Sequence, residues 1–322
     1  MPETIDRPPP IFHQDSTLDL SKSAWATLLG LTAAVGYTLA NIALRSVSDC
    51  DPVWVSCIKA IPTLVIATPI VWWIQRGRHP LPAPRVIAAL VVASLVGHLF
   101  GNVVFQWALG VIGIALTVPV TLGSIIVFGT LMGGLLMNEP VTRRTLTAVV
   151  MLTIAVFVLS LGADDAYQSV TQSVDAPWWL VAAGVGGAVM CGASYAFLGA
   201  VIRYGVQRRV SVMFTLFVVS LVGSTSLGAL SLLRGGIDVM ASYSAAQYGT
   251  MFLAGLANAA AFLALTAAYK LAHMVYVNAL NASQAAMAAV AGIILFHEAP
   301  TPALWLGLGM TVLGLGYLDR HG

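Results

Sequence analysis

The chain has 322 residues, of which 58% are hydrophobic and 9% are charged, and its mean hydropathy is +0.88. No soluble core of this size could hide so much apolar side chain, so the composition excludes a soluble globular protein and predicts a membrane protein. The formal net charge of +2 is spread over several loops. A polyanion-binding protein would gather its basic residues on one element, so we expect no nucleic-acid partner.

Ten apolar segments follow one another along the chain, and most approach the roughly 20 residues that a membrane-spanning helix needs. We therefore predict an all-α integral membrane protein with ten transmembrane helices. The predicted spans are 24–45, 52–74, 86–109, 114–137, 145–161, 178–203, 210–233, 245–269, 275–296 and 301–318.

The basic residues alternate between the loops in a way that predicts the orientation. Basic loops stay in the cytoplasm, so the more basic side is the cytoplasmic one, and both termini lie there. One side carries Arg7, Lys22, Arg76, Arg78, Arg85, Arg143, Arg144, Arg203, Arg208, Arg209, Lys270 and Arg320, and the other only Arg45 and Arg234. The loop 162–177, on the second side, has three acids and no basic residue. We expect a multi-pass protein of the cell inner membrane.

Residues 1–22 hold a Pro-Pro-Pro run, four acids and no apolar stretch, and they predict a disordered cytosolic lead. No cleavable signal peptide is expected, because the first apolar run starts late and is long enough to span. The three cysteines, Cys50, Cys57 and Cys191, lack metal-ligand spacing, and we interpret them as inert thiols.

The two halves of the chain repeat each other. An offset of 159 residues pairs Ser124 with Ser283 and Glu139 with Glu298, and an offset of 158 pairs Tyr37 with Tyr195. The predicted repeats are 23–162 and 177–322. Five spans in each half force the second copy to enter from the opposite face, and such inverted repeats are typical of transporters with a central cavity at the midplane.

The chain resembles the EamA type of drug/metabolite transporter, which has ten helices in two five-helix repeats. The resemblance rests on Asn138-Glu139-Pro140 and Glu298-Ala299-Pro300, on the tyrosines Tyr37 and Tyr195, and on the segment 52–59, and it covers about 24–318. Lys59 stands where family members usually carry a basic residue, most often arginine. Within the family the chain looks most like the YddG group of inner-membrane amino-acid exporters, which implies a small-molecule substrate, most simply an amino acid.

Lys59 is the one formally charged residue buried within a predicted span and not at its end, about 10 Å along its helix from Pro52. Charged residues in a bilayer are costly and mark functional sites. One interpretation is a cation that faces the cavity and meets a substrate carboxylate. The other is a lysine whose side chain snorkels to the outer interface.

His98, Asn102 and Gln106 recur every four residues on the third span and predict a single polar stripe. The stripe either lines the transport pathway or forms hydrogen bonds between helices. A lone histidine without a second ligand does not predict a metal site, and we expect no metal and no cofactor.

Further polar side chains lie on spans that match each other in the two halves, and a neutral polar wall suits a zwitterionic substrate. Tyr37 and Tyr195 are predicted to flank the substrate side chain. The other candidate binding residues are Ser124 on the fourth span, Asn258 on the eighth, and Asn278, Asn281 and Gln284 on the ninth.

The sequence favours an amino-acid exporter that works by alternating access, as a monomer in the lipid bilayer. An exporter of toxic organic compounds is an alternative. A cationic substrate would require a buried carboxylate, which is missing, or an aromatic cage, which the sequence leaves open. A channel or a structural bundle is another. An enzyme is not expected, because His98 has no Asp or Glu beside it to form a triad. The missing mid-membrane carboxylate also favours transport without strong ion coupling.

Overall fold

The computed structural model describes residues 16–77, 81–137, 143–172, 175, 177–269, 271 and 274–319, and all regular structure in these ranges is helical. The helices are α1 (Ser16–Arg45), α2 (Pro52–Arg76), α3 (Pro84–Val96), α4 (Val104–Met137), α5 (Arg143–Ser160), α6 (Ala163–Thr171), α7 (Trp178–Gln207), α8 (Val212–Ala241), α9 (Ala245–Tyr269), α10 (Met274–Phe296) and α11 (Pro302–Asp319). A π-helical segment, Gly97–Val103, joins α3 to α4.

Six helical segments of the described chain are long and apolar enough to cross a membrane, or seven if a pair bent by 48°, Leu146–Ser160 and Ala163–Thr171, counts as one span. The six are Ala24–Arg45, Pro52–Arg76, Pro84–Leu135, Trp178–Gly205, Val212–Asp238 and Ala245–Ala268. Ser283–Phe296 and Pro302–Gly314 are shorter apolar helices. Large apolar side chains such as Trp73 and Leu233 are 74% and 86% exposed, as side chains that face lipid should be. The prediction of an all-helical membrane protein is confirmed.

The segment Pro84–Leu135 forms the centre of the bundle. In its most apolar window 72% of the residues are buried, against 33–39% in the other five segments. The predicted boundary between the third and fourth spans falls on Gly113, a non-helical residue (φ 72°, ψ 174°) at which two helical parts of α4 meet. The second part begins at Ile114, where the fourth span was predicted to begin.

Two predicted boundaries differ from the structure. Residues 16–22 of the predicted disordered lead belong to α1, while residues 1–15 lie outside the described part. The predicted loop 162–177 contains the short helix α6. This helix was overlooked because Ala163-Asp164-Asp165 reads as a polar loop, yet the acids stand in its first turn, where they favour the helix dipole. Its buried Ala163 and Tyr167 pack into the core.

The two halves interlock instead of forming separate cores. Helix α1 packs on α9 and α10, and α7, its counterpart in the repeat, packs on α3, the π-helical segment and α4. Helix α2 packs on α8, and α5 on α11, its own counterpart in each case. This reciprocal pairing is what a pseudo-two-fold axis between two repeats requires.

A carboxylate from the second half occupies the break in α4. Glu298 Oε1 and Oε2 accept hydrogen bonds from the backbone N–H groups of Ile114 (2.9 Å) and Ala115 (2.7 Å), which begin the second part of α4. These N–H groups have no partner within their own helix. Gly113 leaves the space for the carboxylate, because a Cβ atom there would collide with the Glu298 carboxyl group.

We predict that Gly113→Ala destabilises the protein more than Gly236→Ala. Both glycines adopt a positive φ that is nearly restricted to glycine, and alanine should cost about 1–3 kcal/mol at either site. Only at Gly113 would the added methyl group also displace Glu298; a Cβ atom at Gly236 meets nothing within 4 Å. Thermal unfolding in detergent would measure the difference, and equal losses for the two variants would show that the carboxylate contact contributes nothing.

Candidate functional site

Lys59 lies two turns into α2 and is half-buried. Its helix begins at Pro52, and the Asp51 side chain caps it by accepting a hydrogen bond from the Trp54 N–H (2.9 Å). The Lys59 ammonium donates a hydrogen bond of 2.5 Å to Asn102 Oδ1. No carboxylate of the described residues forms an ion pair with it. Lys59 therefore forms a hydrogen bond to a neutral amide of another helical segment. Its side chain does not snorkel to the outer interface, which was the second interpretation of this residue.

His98 and Asn102 form one hydrogen-bonded unit within the π-helical segment. His98 Nε2 lies 3.0 Å from the Val219 carbonyl oxygen, and its Nδ1 lies 3.0 Å from Asn102 Nδ2. Because a carbonyl only accepts, Nε2 carries the proton and Nδ1 accepts from the amide, so a neutral histidine satisfies both contacts. This arrangement turns the Asn102 oxygen toward Lys59. π-Helical segments are frequent at functional sites.

Tyr195 completes the cluster from the second half of the chain. Its hydroxyl group donates a hydrogen bond of 2.8 Å to Asn102 Oδ1, the same oxygen that Lys59 contacts. Tyr37 lies near enough to act electrostatically on the Tyr195 hydroxyl, so the structure brings together the two tyrosines that the repeat pairs. We call Lys59, His98, Asn102 and Tyr195 the central polar cluster.

Cys191 borders this cluster and was not predicted to. It is fully buried, and its thiol lies within hydrogen-bonding reach of the Tyr195 and Thr121 side chains. The signal was present in the sequence, because Cys191 precedes Tyr195 by four residues and so shares its helix face. Metal-ligand spacing alone does not identify this position.

The predicted polar stripe on the third span divides between two roles. His98 and Asn102 belong to the central polar cluster. Gln106 instead donates to the carbonyl oxygens of Leu44 (2.9 Å) and Val47 (3.3 Å), which end α1 and start the following loop. The π-helical geometry between 97 and 103 breaks the simple four-residue spacing on which the single stripe was predicted.

Within the described part of the chain, no hydrogen bond joins Ser124, Asn258, Asn281 or Gln284 to the central polar cluster. Ser124 is buried where α4 meets Gly192 of α7. On the second half, Asn258 and Asn281 are half-buried and Gln284 is buried, while the Asn278 side chain lies outside the described residues. Asn281 Oδ1 is buried and has no hydrogen-bond partner in the described part. A wall of neutral amides on α9 and α10 therefore stays a prediction.

The metal-ligating side chains and the cavities of the described residues limit which ligands the site could hold. The described residues contain no group of three or more His, Cys, Asp or Glu side chains that could hold a metal ion. A cavity of about 170 Å³ lies beside Asp51, Ser231 and Arg234, where Arg234 and Asp51 form a 3.7 Å ion pair. A second cavity, beside Glu298, has space for about one water molecule. Lys59 lines neither cavity. The chemical groups available at the central polar cluster are the Lys59 cation, the hydrogen-bonding side chains of His98 and Asn102, and the aromatic ring of Tyr195.

Comparisons with known proteins give a family and a fold. The model of the EamA-like transporter family matches the chain twice, at residues 21–161 and 182–318. No curated protein sequence matches it. Nineteen chains of solved structures are similar. One of them, a crystal structure, shares 17% sequence identity, with coverage of 92% of this chain and 97% of its own and a TM-score of 0.59. A likeness at that identity shows the fold alone.

We predict that Lys59→Met leaves the protein as stable as before or raises the free energy of unfolding by about 1–3 kcal/mol. The substitution removes a cation that has only a neutral partner within the bilayer, and such a charge costs stability. The matched control is Arg45→Met, which leaves the buried Glu298 carboxylate without its ion-pair partner and should destabilise. Thermal unfolding of both in detergent tests this. A marked loss in Lys59→Met would mean that the lysine stabilises the bundle.

Proposed function

Since the chain belongs to the EamA-like transporter family, whose members are membrane transporters of small metabolites and not enzymes, we propose that it exports amino acids across the inner membrane by alternating access. In this proposal the YddG group of amino-acid exporters is its nearest functional counterpart. The protein works as a monomer, with both termini in the cytoplasm and without a cofactor.

The uncompensated charge of Lys59 carries this proposal. A cation held inside a bilayer is costly unless an anion accompanies it, and the described residues provide Lys59 with an amide oxygen only. A substrate carboxylate supplies the missing charge when it displaces Asn102 from the lysine. The lysine then prefers a substrate that carries a carboxylate over an organic cation, which disfavours the export of toxic cations.

The rest of an amino acid fits the groups around Lys59. Its ammonium group needs acceptors, and the oxygens of Asn102 and Tyr195 are free to accept once Lys59 has turned to the carboxylate. A Tyr195 hydroxyl that now donates to Asn102 can rotate to accept instead. The rings of Tyr37 and Tyr195 offer apolar faces to the substrate side chain. The absence of a fixed carboxylate among the described groups of the cluster suits a zwitterion better than a cation.

Alternating access is supported by the reciprocal packing of the two halves. Where one helix packs on a second, its counterpart in the other half packs on the second helix's counterpart. Thus α1 packs on α9, and α7 packs on α3. Such a bundle has two equivalent arrangements in which the roles of the halves are exchanged, and inverted repeats use them to open first one end and then the other. The central polar cluster joins both halves, because Tyr195 lies in the second and Lys59 in the first.

Counterflow in proteoliposomes that contain only this protein tests the proposal. With a labelled amino-acid mixture and a collapsed proton gradient, we expect saturable uptake that depends on unlabelled amino acid inside. Lys59→Ala should abolish uptake, and Lys59→Arg should retain it, because only the second variant keeps the cation. Uptake that does not saturate would indicate a channel, and no uptake with or without a gradient would remove amino acids as substrates.

We predict that Asn102→Asp weakens substrate binding by about tenfold or more, because the new carboxylate pairs with Lys59 and competes with the substrate carboxylate. Asn102→Leu is the control without charge, since it removes the oxygen that accepts from Lys59 and Tyr195, whereas Asn102→Asp keeps an acceptor there. The concentration dependence of counterflow measures the change in affinity. If both variants weaken binding equally, the charge of Lys59 does not recognise the substrate.

A further inference from the structure

A buried ion pair joins the two halves at one end of the bundle. Glu298 Oε1 accepts a hydrogen bond from Arg45 Nε (2.9 Å), in addition to the bonds from Ile114 and Ala115. The two side chains are only 2% and 12% exposed, and the Arg45 guanidinium also lies over the Phe296 ring, 5.1 Å from its centre. Charge-assisted hydrogen bonds of this kind are about twice as strong as neutral ones. We call this group the Arg45–Glu298 junction.

The surrounding backbone is shaped to hold the Glu298 carboxylate. His297 has a left-handed conformation (φ 55°) that ends α10, and the Glu298 N–H donates to the Gly292 carbonyl oxygen (3.0 Å). A Cβ atom at Gly292 would lie 2.5 Å from Glu298 Oε2, so only glycine admits the carboxylate there. The backbone at the end of α10 and the glycine at 292 therefore both position the Glu298 carboxylate.

The junction joins the two halves at one end of the bundle. Arg45, Ile114 and Ala115 belong to the first half, whereas Glu298 belongs to the second. The backbone N–H of Ala299 also donates to Ser169 of α6, the short helix of the loop that the charge count places outside. The halves cannot separate at this outer end unless Arg45 and Glu298 part.

In the sequence repeat, Arg203 and Glu139 stand at the positions equivalent to Arg45 and Glu298. The offset of 158 that pairs Tyr37 with Tyr195 also pairs Arg45 with Arg203, and the offset of 159 pairs Glu298 with Glu139. Arg203 lies on the more basic side, opposite to Arg45. Its side chain is exposed, and Glu139 lies outside the described residues.

We infer that Arg45 and Glu298 are positioning residues for transport, which hold the outer end closed and separate when the protein opens outward. This inference rests on the proposed alternating access. It concerns the ends of the pathway and not the substrate, so it can be tested without a transport assay.

The test uses Cys191 as a reporter of opening. Cys191 is fully buried beside the central polar cluster, so a membrane-impermeant maleimide reaches it only when one end opens. Cys50 and Cys57 are replaced by serine. Labelling is measured from outside in right-side-out vesicles and from inside in inverted ones.

We expect Glu298→Gln and Arg45→Gln each to raise the rate of outside labelling about tenfold, the factor that the loss of a charge-assisted hydrogen bond allows. Glu139→Gln is the matched control and should not raise labelling from outside. Full labelling in a denaturing detergent shows that the Cys191 thiol is intact. A monodisperse peak in size-exclusion chromatography shows that the variants are folded. If Glu298→Gln does not fold, Arg45→Gln decides, because it leaves the carboxylate on the α4 N–H groups.

Two results would overturn the inference. One is outside labelling of both folded variants at the parental rate. The other is an equal increase from both sides, which would indicate general loosening of the bundle. A tenfold increase from outside in a protein that transports no amino acid would support the junction and contradict the proposed substrate, so the two failures are distinguishable.

Discussion

The absence of water inside a bilayer is the constraint on which this structure depends, because every backbone group released by a helix break must find a partner in the protein. The break at Gly113 releases the N–H groups of Ile114 and Ala115, and the Glu298 carboxylate accepts from both. The carboxylate in turn requires Arg45. One interruption of the central segment thus fixes a glycine, an acid and a base from distant parts of the sequence.

The same constraint explains what the sequence predicts well. Long apolar segments have one solution in lipid, a helix, so the all-helical membrane fold follows from composition alone. The boundary at Gly113 was predictable because the apolar run is interrupted by glycines there. Lys59, His98, Asn102 and Tyr195 were each predicted as candidates because polar side chains inside spans are few. Their joining into one cluster was not predicted.

What the sequence did not predict depends on contacts between distant segments or on local backbone geometry. Gln106 bonds to the end of α1 and not to the central polar cluster because the segment 97–103 is π-helical, and residue spacing does not predict a π-helix. The place of Cys191 beside Tyr195 was readable from the four-residue spacing, but its contact with Thr121 follows from the approach of α7 to α4. Glu298 stood out as a repeated Glu-Pro element, but its attachment to Arg45 and to the start of the second part of α4 is a tertiary fact.

The interlocked halves have a consequence for synthesis in the cell. The first five segments emerge from the ribosome before their packing partners α8 to α11 exist, since α1 rests on α9 and α10 and α5 rests on α11. During that interval Lys59 and Arg45 stand in the membrane without Tyr195 nearby or Glu298 as counter-ion. The nascent first half must therefore wait beside the insertion machinery or another protein that shields its polar surface. Assembly is completed only when the last helix arrives.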